Sequence, residues 1–279
     1  MPHRLTKHHG LGNDFLVLLG AAAELAGVGA DEARRWCDRH RGVGADGLLL
    51  GVIDDPRADV VMTLHNADGS RAEMSGNGIR CLAQAEATRR GVDRAELRVL
   101  TVGGERIVVV APGHDPATVL VSVDMGPAGP GPEPDRALAA VDAGALSSAQ
   151  LAASPRCDLT VDLGNPHLIL LIDDPAAVVI TAAGPYWEAS YSAGMNVHAI
   201  APTPGETDAL TMATWERGAG ATEACGTGAT AAAHAAHDWG LVGTDVLVHM
   251  PGGDVEVIVG EHMTLRGPSV RIAAVELAS

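Results

Sequence analysis

One short pattern occurs twice in this chain, and it constrains the fold more than any other feature. Ser75-Gly76-Asn77-Gly78 opens an Ala-rich stretch that stops at Gly91, and Cys225-Gly226-Thr227-Gly228, 150 residues later, opens another that stops at Gly240. Nine positions ahead of the two lead residues stand Asn66 and Glu216, and two positions ahead stand Glu73 and Glu223. In a chain with 34 glycines a chance Gly-x-Gly is common, but agreement of lead residue, helix length and Gly stop in both halves is not. The repeat predicts two similar domains facing each other across a cleft.

Between the repeated helices the chain reads as short strands bounded by Gly, Pro and Asp turns. Runs at Phe15–Leu19, Gly47–Ile53, Val60–His65, Glu96–Val102, Arg106–Ala111 and Thr118–Val123 form one series. Leu159–Leu163, Leu168–Ile172, Asn196–Ile200, Leu210–Trp215, Val246–Met250, Val255–Val259 and Val270–Val275 form a second. A further helix is expected over Asp31–Arg41, acidic at its start and basic at its end as the helix dipole prefers. This is an α+β pattern with many antiparallel pairs. The Pro/Gly-rich segment Gly126–Arg136 reads as a loop between halves or as a domain connection just after a boundary near 120, and the last strand is expected to return to the first half. The expected domains are therefore 1–119, completed by 267–279, and 120–266.

Charge and composition remove several function classes. The formal net charge of −16 argues against a general nucleic-acid binder, which needs a basic face to displace phosphate counterions. Aromatic residues are only 3%, so base-stacking platforms are not expected and the core must rest on Val, Leu, Ile and Ala. Cys37, Cys81, Cys157 and Cys225 form no CxxC pair, which points to free thiols in a reducing compartment. The N-terminal MPHRLTKHHG has no apolar signal region, and the richest apolar stretch, Leu168 to Ile180, is broken by Asp173-Asp174-Pro175. A cytoplasmic protein with no membrane or nucleic-acid partner is expected, working as a homodimer or a monomer.

A Gly-x-Gly turn opening a helix aims backbone N–H groups along the positive end of its dipole, a site for a carboxylate or phosphate. A cysteine there is expected to have its thiolate stabilised, so Cys225 is a candidate base. Two such sites facing each other would clamp one carboxylate and place a proton-transfer group on each side of the adjacent carbon. The competing reading of Cys225 is a buried structural thiol, and Cys81, one turn into an apolar helix face, reads as core. Gly226-Thr227-Gly228-Ala229-Thr230-Ala231 also fits a dinucleotide fingerprint, but loop residues rather than a strand lead into it, and Asp245 starts a strand instead of ending one. The 12 histidines are scattered without metal-ligand spacing. His167 stands where a turn enters a strand; it reads as a surface-turn histidine or as a group tuning a nearby base. No metal and no organic cofactor is expected.

The motifs of the chain, in order, resemble those of the diaminopimelate epimerase family, cofactor-independent two-base amino-acid epimerases. The resemblance runs from His9-Gly-Leu-Gly-Asn13-Asp-Phe15 through Gly42-Val-Gly-Ala-Asp46-Gly47, Asn66-Ala-Asp-Gly-Ser70 and Gly76-Asn77-Gly78-Ile-Arg80-Cys81. It continues through Gly164-Asn165-Pro166-His167, Gly194-Met-Asn196-Val197, Glu216-Arg217-Gly-Ala-Gly220 and Ala224-Cys225-Gly226-Thr227-Gly228 to Pro251-Gly-Gly253 and Arg266-Gly-Pro-Ser269. It implies two pseudo-symmetric domains, each a mostly antiparallel, barrel-like sheet around a central helix, with the active site in the cleft between them. It implies interconversion of LL- and meso-2,6-diaminopimelate in lysine and peptidoglycan biosynthesis. Cys225 and Ser75 fall on the two catalytic positions, with His167 and Glu216 as residues that modulate them. Asn13, Asn66, Asn165, Asn196, Glu216 and Arg217 fall on substrate-holding positions, and Gly76-Asn77 and Gly226-Thr227 on the carboxylate cradles.

Three departures stand out. Ser75 replaces the first catalytic cysteine, Ala221 replaces a glutamate found in many members, and Gly47 stands where some members place a glutamine. The first bears on mechanism, because an alcohol is a far weaker acid than a thiol. A related epimerase, a β-eliminating lyase and an amino-acid-binding homologue without a second base therefore stand beside the leading reading.

Overall fold

A computed structural model of the chain describes residues 3–72, 74–136 and 146–277. Glu73, one of the two acidic residues flanking the repeated motif, lies outside the described residues. The chain divides into two compact units, Met1–Asp124 with Arg266–Ser279, and Met125–Leu265.

The first unit runs β1 (Arg4–Gly10), β2 (Asn13–Gly20), α1 (Ala22–Leu25), α2 (Ala30–Cys37), β3 (Gly47–Val52), β4 (Val60–Asn66), β5 (Arg71–Ala72), α3 (Gly76–Arg90), β6 (Ala95–Thr101), β7 (Gly104–Pro112) and β8 (Thr118–Gly126). The second runs β9 (Gly129–Pro130), β10 (Cys157–Asp162), β11 (Pro166–Leu171), α4 (Ile180–Glu188), β12 (Asn196–Pro202), β13 (Ala209–Glu216), β14 (Gly220–Thr222), α5 (Gly226–Asp238), β15 (Asp245–Met250) and β16 (Gly253–Ile258). The closing strand β17 (Met263–Glu276) pairs antiparallel with β1.

The two units repeat one pairing scheme. In the first, β1–β2 is antiparallel, β2–β3 parallel, β3–β4 and β4–β5 antiparallel, β4–β6 parallel and β6–β7 antiparallel. In the second, β10–β11, β11–β12, β12–β13, β13–β14, β13–β15 and β15–β16 follow the same order of senses. The fold is thus mixed α/β, with parallel pairs inserted at matching places among antiparallel ones.

Each unit wraps its strands around one helix. In α3 every residue from Gly76 to Ala87 is buried, and it packs on β1, β2, β3, β4 and β7. In α5 the buried alanines 229, 231, 232, 233, 235 and 236 let β10, β11, β12, β13, β15 and β16 approach closely. Enclosed on nearly all sides, α5 shows the sheet little but alanine, so its small side chains set how tightly the strands can close. α3 ends at Gly91 with φ 70°, a left-handed cap that glycine adopts without strain, and its N–H reaches the Ala87 and Thr88 carbonyls. The buried Glu86 carboxylate is held by Arg89 and Arg90 at 2.7 and 2.6 Å, and Arg90 reaches Asp59 at 2.9 Å.

Several elements differ from the sequence expectation for local reasons. The Asp31–Arg41 helix stops at Cys37, because the Asp38 carboxylate accepts the His40 and Arg41 N–H groups and starts a turn. The polar β1 becomes a strand because β2 and β17 pair with it on both sides. α4 forms despite Gly184 and Pro185, held by Trp187 Nε1 donating to the Ala152 carbonyl and Trp215 Nε1 donating to Glu188. Most of the Gly126–Arg136 segment lacks regular structure, but Gly129–Pro130 pairs with Val161 and Asp162.

His8, on β1, is buried with Nδ1 2.8 Å from Gln84 Oε1 and no partner for Nε2 among the described residues. Burial pulls it down from 6.5 to about 4, against the Gln84 contact that raises it. Its native pKa lies below its unfolded one, so its contribution is complete above pH 6.5 and declines as pH falls toward 4. Thermal denaturation should show a loss of about 3 kcal/mol from this group across that window. His8→Asn should flatten the pH dependence there; an unchanged slope would refute this account.

Candidate active site

The two lead residues of the repeat occupy the same structural position, the N-cap of the central helix in each unit. Ser75 is extended (φ −141°, ψ 116°) and its Oγ accepts the Gly78 N–H at 3.0 Å. Cys225 is extended (φ −130°, ψ 111°) and its Sγ accepts the Gly228 N–H at 3.3 Å. Both sit where unpaired backbone donors gather at a helix start.

Cys225 is buried, its N–H on Met250 Sδ at 3.4 Å and its sulfur 3.5 Å from Thr227 Oγ1. Burial first, and the Glu216 carboxylate second, push the thiol well above its ordinary value, while Thr227 and the Gly228 N–H pull the other way. The sequence expectation of a thiolate stabilised by the helix start is therefore corrected: desolvation of the charged form outweighs the donors, and the resting group is a thiol. Glu216 in turn accepts from the Thr222 hydroxyl at 2.6 Å. Cys81 and Cys37, deep in the first unit, are pushed by burial to about 11 and about 12, and serve as core.

His167 is fully buried, which corrects the surface-turn alternative. Its Nε2 lies 3.0 Å from Asn165 Oδ1, and its Nδ1 lies 2.9 Å from His198 Nε2. Asn165 Nδ2 donates to Thr227 Oγ1 at 3.4 Å, which links the turn before β11 to the start of α5. Burial, then His198 and Arg217, hold His167 well below its ordinary value, so it is neutral.

The first unit has a matching link. Arg80, fully buried on α3, donates to the Pro268 and Gly76 carbonyls and to Asn77 Oδ1 at 3.2, 3.1 and 2.8 Å. Asn77 Nδ2 donates to Asn13 Oδ1 at 3.2 Å, and Asn13 Nδ2 donates to Asp46 at 2.8 Å. Asp46 and Asp14 share Arg39, and Lys7 holds Asp14 at 2.9 Å. Asn13 at the start of β2 thus meets the second residue of α3 much as Asn165, just before β11, meets the second residue of α5.

The remaining expected residues divide. Asn66 closes its own turn through Ser70 Oγ at 3.0 Å. Asn196 is buried and ties backbone, donating to the Pro166 carbonyl at 2.7 Å and accepting the Arg217 N–H at 3.0 Å. The Arg217 guanidinium is half-buried and donates to the Ala193 carbonyl at 3.1 Å. Gly226 and Thr227 lie buried beside Cys225, and Gly76 beside Ser75. Sequence reasoning missed Arg80, His198 and Thr214. Arg80 stood inside a quoted motif, whereas a histidine within a continuous apolar strand carries no signal of its own.

The sequence matches the diaminopimelate epimerase family over residues 5–129 and 159–270. The chain belongs to that family. It is 35% identical to the diaminopimelate epimerase of Synechococcus elongatus over the whole of both chains, and 39% identical to that of Pelotomaculum thermopropionicum over 96% of each. Among solved structures, the fold is similar to a hydroxyproline epimerase from Agrobacterium vitis (TM-score 0.72, 16% identity, 99% of this chain and 92% of that one). It is likewise similar to a phenazine biosynthesis protein of the PhzF family from Bacillus anthracis (TM-score 0.69, 15% identity, 100% of both). At those identities the likeness is one of fold alone.

Proposed function

We propose that this chain is a diaminopimelate epimerase, an isomerase interconverting LL- and meso-2,6-diaminopimelate in lysine and peptidoglycan biosynthesis. The observation that carries this reading is the same N-cap geometry around Cys225 and Ser75, set in a chain of that family. In this reading the two groups address opposite faces of one substrate carbon. Gly76-Asn77 and Gly226-Thr227 supply backbone donors to its carboxylate, which stabilises charge building up as the α-proton leaves. Cys225, once its proton has passed to Glu216 or to solvent, removes the α-proton. Ser75 returns a proton from the other face, relayed from water, because its hydroxyl cannot serve as a matching base. Asn13, Asn66, Asn165, Asn196, Glu216 and Arg217 hold the ends of the substrate, and His167 tunes Cys225. The protein works in the cytoplasm as a homodimer, which sedimentation would check.

Arg217 offers a planar fork suited to a carboxylate, which favours a substrate with two amino-acid ends. Arg217→Ala should weaken diaminopimelate binding by roughly 2–5 kcal/mol. Unchanged affinity in a titration would remove Arg217 from the site.

The decisive experiment is incubation with each epimer in deuterated water, following label uptake and epimer ratio. One epimer should take up deuterium with little inversion, while the other stays nearly inert. Equal, rapid exchange from both would mean that another group supplies the second base. Ser75 also favours a second reading, an amino-acid-binding homologue, for which binding without any exchange would be decisive; an unsaturated or keto product would identify a lyase.

A further inference from the structure

The second unit holds a hydrogen-bonded chain, buried except at the half-buried Asn165, whose far end, His198 and Thr214, the reaction scheme does not use. It runs from Thr214 through His198, His167, Asn165 and Thr227 to Cys225, with successive separations of 2.8, 2.9, 3.0, 3.4 and 3.5 Å. His198 on β12 and Thr214 on β13 are direct cross-strand partners, and both are buried.

Such a chain has two concerted directions. With Asn165 Oδ1 toward His167 and Nδ2 toward Thr227, His167 carries its proton on Nε2, and its Nδ1 must accept. His198 then carries its proton on Nε2 and accepts the Thr214 hydroxyl at Nδ1. Every donor points toward the sulfur, and the Thr227 hydroxyl is left to donate to Cys225 Sγ. In the reverse direction Thr227 would donate to Asn165 instead, and the sulfur would lose that donor. Burial pulls His198 down to about 3, so it has one ring proton to place. Its ring also lies under the other donor to the sulfur. A Cβ on Gly228 would stand 2.3 Å from His198 Cε1, so only glycine fits against the ring while its N–H reaches Sγ.

We infer that His198 is a positioning residue for Cys225: anchored by Thr214, it fixes the His167 tautomer and so directs the Thr227 hydroxyl, while its ring seats Gly228, the second donor to the sulfur. This rests on the reading of Cys225 as the proton-transfer group. The charged groups that act on the chain are Arg217, on His167, and Glu216, on the thiol.

The test uses full-length Thr214→Val, Thr214→Ser and His198→Phe proteins and does not need diaminopimelate. Iodoacetamide labelling of Cys225, read by peptide mass spectrometry against pH, reports the thiolate; nitrogen-15 imidazole spectra report the tautomers. Thr214→Val and His198→Phe should slow Cys225 labelling about tenfold at a fixed pH and move its midpoint upward, the effect of losing one donor to a charged sulfur. Thr214→Ser should restore it, and Thr214→Val should leave His167 in mixed tautomers. An unchanged midpoint in both disrupting variants would overturn the inference. If those variants do not fold, the unaltered protein decides: Nε2–H on His167 and His198 supports it, and Nδ1–H on either overturns it. A failure of diaminopimelate turnover would count against the proposed function and leave these readouts intact.

Discussion

Exchanging Ser75 for cysteine should raise the rate of LL–meso interconversion by about 10²–10⁴-fold, the usual worth of a well-placed general acid–base group. The backbone is already prepared for it, since Ser75 has the φ and ψ of Cys225 within about ten degrees and accepts the equivalent N–H, that of Gly78. The exchange should leave the helix cap intact, because sulfur accepts the same bond at Cys225. Ser75 is also only half-buried, so the larger atom has room to settle. The change should appear in the proton-transfer step, raising kcat in both directions and making deuterium uptake equal for the two epimers. Unaltered, lopsided exchange in Ser75→Cys would mean that the limiting step lies elsewhere.

Cys225→Ala should abolish both exchange and inversion, whichever epimer is supplied. In the proposed mechanism the working base is the Cys225 thiolate, while burial and Glu216 hold the group as a thiol. The thiol's pKa is raised, so the thiolate fraction, and with it the exchange rate, should climb about tenfold per pH unit through neutral pH. That rising limb should vanish in Cys225→Ala. Deuterium uptake that persists in the variant with the same slope would assign the base to another residue. Ser75→Cys should also flatten the limb if its half-buried thiol ionises more readily than Cys225.

Much of this was legible in the sequence because it depends on local chemistry. The duplicated Gly-x-Gly starts announce two helix N-termini with a side chain at each cap, and the pairing scheme of the two units repeats strand for strand. The strands that alternate Val, Leu and Ile between turns were readable for the same reason. β1 and α4 were not, since a polar strand exists only through its two neighbours, and a helix with Gly184 and Pro185 only through Trp187 and Trp215.

The site divides along the same line. The sequence by itself determined which groups stand at the helix starts, that one of the two is an alcohol, and which asparagines lie near them along the chain. Tertiary structure decided their chemical state. Cys225 at a helix start reads as an acidified thiol until its burial and the Glu216 carboxylate are seen, and these reverse the sign. His167 reads as a turn residue until the sheet closes over it and His198 takes its Nδ1. Arg80 is assigned no role by the sequence; its place is fixed only when α3 is enclosed and the Pro268 carbonyl, 188 residues away along the chain, accepts its Nε–H. Cap identity and turn type depend on residues within one helical turn, which a sequence displays directly. Desolvation and hydrogen-bond direction depend on groups that folding brings together from distant strands.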